Sequence, residues 1–176
     1  MNVSGRLVDI HKKRIFGAIV YFDKDRILSI EETSVNNDLY IIPGLIDAHV
    51  HIESSMLTPG SFAQASVPHG TIGVVSDPHE IANVIGIDGV IFMIEDGEKS
   101  PFKFYFGAPS CVPATEFETG GAILGPEEIE RLLKRTDIKF LAEMMNFPGV
   151  INGNSEVLKK IEIAKKFNKP IDGHAP

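Results

Sequence analysis

The stretch that decides the fold is residues 43 to 53, which read Pro-Gly-Leu-Ile-Asp-Ala-His-Val-His-Ile-Glu. An apolar run ends here in two histidines, His49 and His51, with one residue between them. Because side chains alternate between the two faces of a β-strand, both imidazoles point to the same side. Two imidazoles at the end of a buried strand are typical of half of a metal site. The alternative is a pair of polar residues that merely ends the strand.

The composition argues against several classes of protein. Hydrophobic residues make up 43% and charged residues 23%, which is the ordinary balance of a globular domain. The net charge of −7 and the lack of a basic stripe argue against nucleic-acid binding. The longest apolar stretch, residues 84–94, is interrupted by Asp88 and is too short to cross a membrane. A single cysteine, Cys111, excludes a disulfide within the chain, so we expect a reducing, cytoplasmic location.

The predicted elements fall into two domains, residues 1–38 and residues 39–176. The first is rich in β-branched and aromatic residues and predicts short strands over 3–10, 15–22 and 27–30. In the second domain, predicted strands alternate with predicted helices. The strands cover residues 39–51, 71–76, 102–108, 138–142 and 170–174. The helices cover residues 58–69, 84–95, 126–135 and 155–167, the last with Ser155 as its N-cap.

The alternation of strands and helices favours a parallel sheet with right-handed crossovers, which is an α/β fold. Units of about thirty residues are the size found in a (β/α)8 barrel, which needs roughly 250 residues in all. We therefore expect about five βα units, or half of a TIM barrel, preceded by a short β-rich segment.

Polar side chains follow the end of each predicted strand of the second domain. Strand by strand, they are His49, His51 and Glu53; Asp77, His79 and Glu80; Ser110 and Cys111; Glu143; and Asp172 and His174. In a barrel the carboxyl ends of the strands converge on one mouth, where the chemistry takes place. These side chains are therefore the candidate functional site.

Several of these residues also have simpler interpretations. Glu143 lies in the apolar run Phe-Leu-Ala-Glu-Met-Met, so it is either a surface carboxylate or a buried one that needs a partner or a metal. Residues 77–80 would also suit a turn that places a carboxylate at a helix N-terminus. Cys111 fits a small packed residue better than a nucleophile.

These motifs resemble those of the amidohydrolase superfamily, whose first-strand signature is similar to residues 43–51. Five further segments resemble, in the same order, the bacterial and archaeal adenine deaminase family. They are residues 52–59, 77–84, 109–115, 143–150 and 172–176. The resemblance spans the whole chain. Residues 1–38 resemble part of the small sandwich domain that precedes the barrel in this superfamily.

The resemblance implies a binuclear metal centre. His49 and His51 would bind the more buried ion. Glu143 would bridge the two ions, and His174 would bind the second. Manganese is the expected metal, with iron or zinc as alternatives, since a carboxylate bridge favours harder cations.

The reaction that the resemblance implies is hydrolysis of adenine to hypoxanthine and ammonia by a metal-activated water. Glu80, or His79 beside it, is the candidate for substrate contact or proton transfer. Asp77, Ser110 and Asp172 are candidates for substrate binding or for support of the metal ligands. The implied partner is this small-molecule substrate, and the full-length enzyme is expected to be a homo-oligomer.

The chain departs from the superfamily pattern in one respect. That pattern includes a histidine on the sixth strand and an aspartate on the eighth, whereas the predicted strands here number five. We therefore expect the N-terminal portion of such an enzyme, with little or no turnover from these 176 residues alone. The alternatives are another amidohydrolase acting on a cyclic amide or a guanine-like purine, a non-catalytic half-barrel module that needs a second chain, and a non-functional remnant.

Overall fold

The computed structural model describes residues 1–115 and 117–174, and these form two compact units. The first unit, Met1–Gly44, is a four-stranded sheet. Its strands are β1 (Asn2–Asp9), β2 (Arg14–Asp23), β3 (Arg26–Glu32) and β4 (Tyr40–Ile41). They lie in the order β3-β2-β1-β4, with β1, β2 and β3 antiparallel and the short β4 parallel to β1.

The second unit begins at Leu45 and contains a sheet of five parallel strands. They are β5 (Leu45–Val50), β6 (Thr71–Ser76), β7 (Lys103–Ala108), β8 (Ile138–Met144) and β9 (Ile171–Gly173). Their order in the sheet is their order in the chain, and every neighbouring pair is parallel. Parallel strands added one after another with helical crossovers are the construction of a (β/α)8 barrel, so the expected α/β half-barrel is confirmed.

Six α-helices lie between the described strands of this unit. They are α1 (Pro59–Ser66), α2 (His79–Ile85), α3 (Ile87–Gly97), α4 (Pro126–Leu133), α5 (Phe147–Ile151) and α6 (Ser155–Lys166). Short 3₁₀ turns cover Ile52–Ser55 and Val67–His69. Within the part of the chain that the structure describes, every helix is too short or too polar to cross a bilayer.

The core of the second unit is formed by strand and helix side chains together. Strand residues such as Val74, Ile138 and Leu141 are fully buried in one cluster with Val90 of α3 and Ile129 of α4. Each such side chain contributes about 1.5–3 kcal/mol through its removal from water. This packing fixes the sheet whose carboxyl ends carry the candidate site.

Some predicted elements differ from those observed. The predicted strand over 39–51 is two separate strands, β4 and β5, because Pro43 has no amide hydrogen to donate to a ladder. The predicted helix over 84–95 is replaced by α2 and α3, which part at Gly86, where φ is +66°. The short helix α5 was not predicted.

The predicted N-cap of the last helix is also wrong by one residue. The side chain of Asn154, not of Ser155, accepts hydrogen bonds from the amides of Glu156 and Val157, at 3.0 and 3.2 Å. Both residues are good caps, so composition alone does not choose between them. Asn154 is the cap because its backbone is not helical (φ −58°, ψ 123°), whereas Ser155 is the first residue of the helix.

Candidate metal centre

Two histidines and a glutamate meet at the carboxyl ends of strands β5 and β8. The Nε2 atoms of His49 and His51 lie 3.1 Å apart, and each lies 3.5 Å from Oε2 of Glu143. Glu143 is 7% exposed, His51 is half-buried and His49 is exposed at the end of its strand. The other carboxylate oxygen of Glu143 contacts Nδ1 of His174. All four predicted metal ligands are therefore in one cluster.

The hydrogen-bond partners of the two histidines define their tautomers. Nδ1 of His51 lies 3.0 Å from the main-chain oxygen of Asp77, which can only accept, so this nitrogen donates. Nδ1 of His49 lies 3.2 Å from Oδ2 of Asp172, and a carboxylate oxygen also accepts. In the neutral rings both protons are thus on Nδ1, and both Nε2 atoms carry lone pairs.

This arrangement fits a cation. Two lone pairs and a carboxylate oxygen that face each other at 3.1–3.5 Å repel unless positive charge lies between them. A point equidistant from the three atoms lies about 2 Å from each, the length of a bond from a divalent metal to imidazole nitrogen or carboxylate oxygen. Imidazoles whose Nδ1 protons are held by oxygen atoms are typical metal ligands.

The electrostatics of Glu143 are dominated by burial and by its histidine neighbours. Burial opposes ionisation of the carboxyl group, but the hydrogen bond with His174 and the charge of the surrounding imidazoles outweigh it, so the pKa of Glu143 is lowered. The carboxylate therefore stays ionised. One oxygen faces the His49 and His51 pair and the other faces His174, which is the geometry that a bridging carboxylate needs.

A second group of possible metal ligands adjoins the first. It consists of His51, Asp77 and His79, whose ligand atoms lie within 4.8 Å of one another. Asp77 is 3% exposed, and burial raises its pKa despite the favourable contact with His79. Its Oδ2 lies 3.2 Å from Nδ1 of His79, while Oδ1 has no hydrogen-bond partner among the described residues. Burial works against a charged His79, but the bond with Asp77 raises the pKa of the imidazole.

Glu80 is held at one oxygen and free at the other. The hydroxyl of Ser54 donates to Oε1 of Glu80 at 2.6 Å. Oε2 is buried, has no hydrogen-bond partner within residues 1–115 and 117–174, and lies 3.7 Å from Nδ1 of His51. Glu53 accepts a 3.2 Å hydrogen bond from the amide of Ile81, so the turn Ile52–Ser55 supports the start of helix α2 at two points.

The remaining predicted residues lie behind the cluster. Asp172 contacts His49, as described above, and Ser110 donates its hydroxyl to the main-chain oxygen of Glu143 at 2.5 Å. Cys111 is buried and contacts the sulfur of Met144 at 3.8 Å, which is the packed position expected for it. Lys160, which is not among the predicted site residues, donates its ammonium to the main-chain oxygen of Ser110 at 2.8 Å. A lone lysine on a helix carries no sequence signal for this contact.

Known proteins match this chain along its whole length. The Amidohydrolase family model matches residues 40–175. A protein named adenine deaminase from Sulfurovum sp. (strain NBC37-1) is 59% identical over 176 residues, which are 100% of this chain and 33% of the relative. Proteins of the same name from Salinibacter ruber and Methanosarcina barkeri are both 54% identical, over 99% and 98% of this chain and 32% and 31% of their own lengths.

The chain thus spans about a third of the length of the curated relatives that it matches. The matched family region contains all the residues of the cluster and the five parallel strands that carry them. On this evidence the chain belongs to the amidohydrolase family.

Proposed function

We propose that this chain forms part of the active site of an adenine deaminase, which hydrolyses adenine to hypoxanthine and ammonia. The observation that carries the proposal is the convergence of two Nε2 lone pairs and a carboxylate oxygen on one point, at 3.1–3.5 Å from one another. The name shared by relatives 54–59% identical to this chain supports adenine as the substrate.

The proposed centre is binuclear. His49 and His51 would hold one cation, and Glu143 would contact it through Oε2. Oε1 of Glu143 together with His174 would hold the second. Mixed imidazole and carboxylate ligands suit manganese, with iron or zinc as the alternatives. A divalent cation held there would lower the pKa of water so that hydroxide is available near neutral pH.

The side chains around the cluster would transfer the proton from water to the leaving nitrogen and orient the purine. Oε2 of Glu80, the oxygen that Ser54 leaves free, would accept a proton from water and return it to the leaving nitrogen. In the balanced reaction, the water oxygen bonds to C6 of adenine and the bond from C6 to the amino nitrogen breaks; one water proton leaves with that nitrogen and the other stays on N1 of hypoxanthine. The nitrogen departs as ammonia. His79, oriented by Asp77, would contact and orient the purine ring.

We propose that the natural-length protein is a homo-oligomer that acts in the cytoplasm, in purine salvage. The buried thiol of Cys111 is compatible with a reducing compartment. Mass measurement in solution would test the oligomeric state, and fractionation of cells would test the location.

The test of the activity is a substrate comparison with the natural-length protein. Purified protein loaded with Mn²⁺ is incubated separately with adenine, guanine, cytosine and hydantoin, and released ammonia and the purine product are measured. We expect hypoxanthine and ammonia from adenine alone. Turnover of hydantoin or guanine in preference to adenine would contradict the proposal and favour another amidohydrolase activity.

A pair of variants links the activity to the cluster. Glu143→Gln should abolish turnover because it removes the negative charge of the carboxylate that is proposed to hold the metal ions. Glu162→Gln changes an exposed residue of α6 in the same chemical way and should leave turnover unchanged. Equal activity of the two variants would contradict the assignment of Glu143.

A further inference from the structure

The segment of β8 that carries Glu143 is not held by regular pairing of the sheet. Pairing of β7 with β8 ends at Ala108 and Leu141. Pairing of β8 with β9 skips from Leu141 to Met144, with an irregularity between them. Glu143 lies between these two paired positions, inside the irregular part of the ladder.

A serine bonds to the main chain of this irregular segment. Ser110, which follows β7 and is 1% exposed, donates its hydroxyl to the main-chain oxygen of Glu143 at 2.5 Å. This contact crosses 33 residues of sequence and joins the end of β7 to the irregular part of β8. The main-chain oxygen of Glu143 also accepts from the amide of the nearby Met145 at 3.0 Å, so Ser110 supplies the restraint that comes from the neighbouring strand end.

Lys160 of α6 holds the serine. Its ammonium donates to the main-chain oxygen of Ser110 at 2.8 Å, from a half-buried position. Burial lowers the pKa of this lysine, and the nearby Cys111 and acidic groups oppose that change only in part. Lysines usually bury the aliphatic part of the side chain and keep the ammonium in water. Lys160 instead directs its ammonium inward to a main-chain oxygen, which indicates a structural role for this hydrogen bond.

We propose that Lys160 is a positioning residue for Glu143 and acts through Ser110. The ammonium fixes the carbonyl of Ser110, and the hydroxyl of Ser110 fixes the main chain of Glu143. The two carboxylate oxygens then remain aimed at the histidines on either side. This inference rests on the proposed metal centre, since it assigns the network to the placement of a metal ligand.

The chain offers a matched control at the opposite end of the same strand. Lys169 donates to the main-chain oxygen of Ile138, the first residue of β8, at 2.5 Å. Lys160 and Lys169 are both half-buried lysines that bind a carbonyl at an end of the sheet. Only the contact of Lys160 leads to Glu143, so the two substitutions separate positioning of the site from general stability.

The experiment compares Lys160→Met, Lys160→Arg and Lys169→Met in the natural-length protein with Co²⁺ as the probe. Affinity is measured by calorimetry, coordination by the visible absorption spectrum of bound Co²⁺, and stability by thermal unfolding without metal. We expect Lys160→Met to bind Co²⁺ about tenfold more weakly and with an altered spectrum, as for other residues that support metal ligands. Lys160→Arg, which keeps a donor, should recover most of the affinity. Lys169→Met should retain both the affinity and the spectrum.

The outcomes are distinguishable. An unchanged affinity and spectrum in Lys160→Met would overturn the inference, as would an equal loss of affinity in Lys169→Met. If Lys160→Met does not fold, Ser110→Ala replaces it, with the same expected loss and the same overturning result. Failure of the unmodified protein to bind Co²⁺ would refute the proposed metal centre itself, and this inference with it.

Discussion

Substitution of Glu143 by glutamine tests the metal centre through stability, independently of turnover. Glutamine has nearly the same shape as glutamate but no charge, and one of its oxygens becomes an amide nitrogen that cannot bind a metal. That nitrogen faces either the pair His49 and His51 or His174. On either side a cation would lose a ligand atom, so metal should stabilise the variant less than the unmodified protein.

The magnitude follows from linkage. If loss of the carboxylate weakens binding about 100-fold, the change in binding free energy is about 2.8 kcal/mol. At a metal concentration of about 100 times the Kd of the unmodified protein, binding raises its free energy of unfolding by about 2.7 kcal/mol. The same concentration then equals the Kd of the variant and stabilises it by only about 0.4 kcal/mol.

The assay is thermal unfolding of both proteins with EDTA and with Mn²⁺ at that fixed concentration. The metal-induced rise in Tm should be several times larger for the unmodified protein than for Glu143→Gln. The variant Glu162→Gln, which alters an exposed carboxylate, should match the unmodified protein. An equal rise in Tm for Glu143→Gln and the unmodified protein would refute the ligand role of Glu143.

Three further contacts can be tested by substitution. Ser54→Ala removes the 2.6 Å hydrogen bond that orients Glu80, and we expect kcat to fall about tenfold with unchanged metal content, as measured by steady-state assay and metal analysis. Asn154→Ala should lower the free energy of unfolding by about 1 kcal/mol in chemical denaturation, whereas Ser155→Ala should change it little. Asp96→Asn weakens the 2.8 Å bond accepted from the amide of Gly60 and should lower that free energy by about 1 kcal/mol at neutral pH. Because this bond lowers the folded-state pKa of Asp96 below its usual 3.8, the contribution is complete above that value and disappears as the pH falls through the lowered pKa, where the two proteins should become equally stable.

Much of the fold was predictable because it depends on local patterns. Strand β6 is apolar on both faces, and α4 begins with a proline and two glutamates, so both were located closely from sequence. The alternation of such elements leads directly to parallel order in the sheet. Two predicted elements, a strand and a helix, were wrong because a single residue, Pro43 or Gly86, divides each into two.

The site was predictable only in part. The spacing of His49 and His51 determines that they share a face, and the strand ends determine that they approach Glu143. Their role as metal ligands stays a prediction. The tautomers depend on Asp172 and on the main chain of Asp77, and no local pattern encodes contacts across so many residues. Contacts of this kind are set by the packing of whole elements against each other.

The same contacts make the cluster unfavourable when it holds no cation. Oxygens of Asp77 and Glu80 are buried without hydrogen-bond partners in the described ranges, and the Nε2 lone pairs of His49 and His51 face each other. Each such group raises the free energy of the folded state, because water would solvate it in the unfolded chain. The packed core of the unit must offset this cost. In the proposed metal centre, cation binding and folding would be coupled, because a cation would remove the repulsion between the Nε2 lone pairs of His49 and His51.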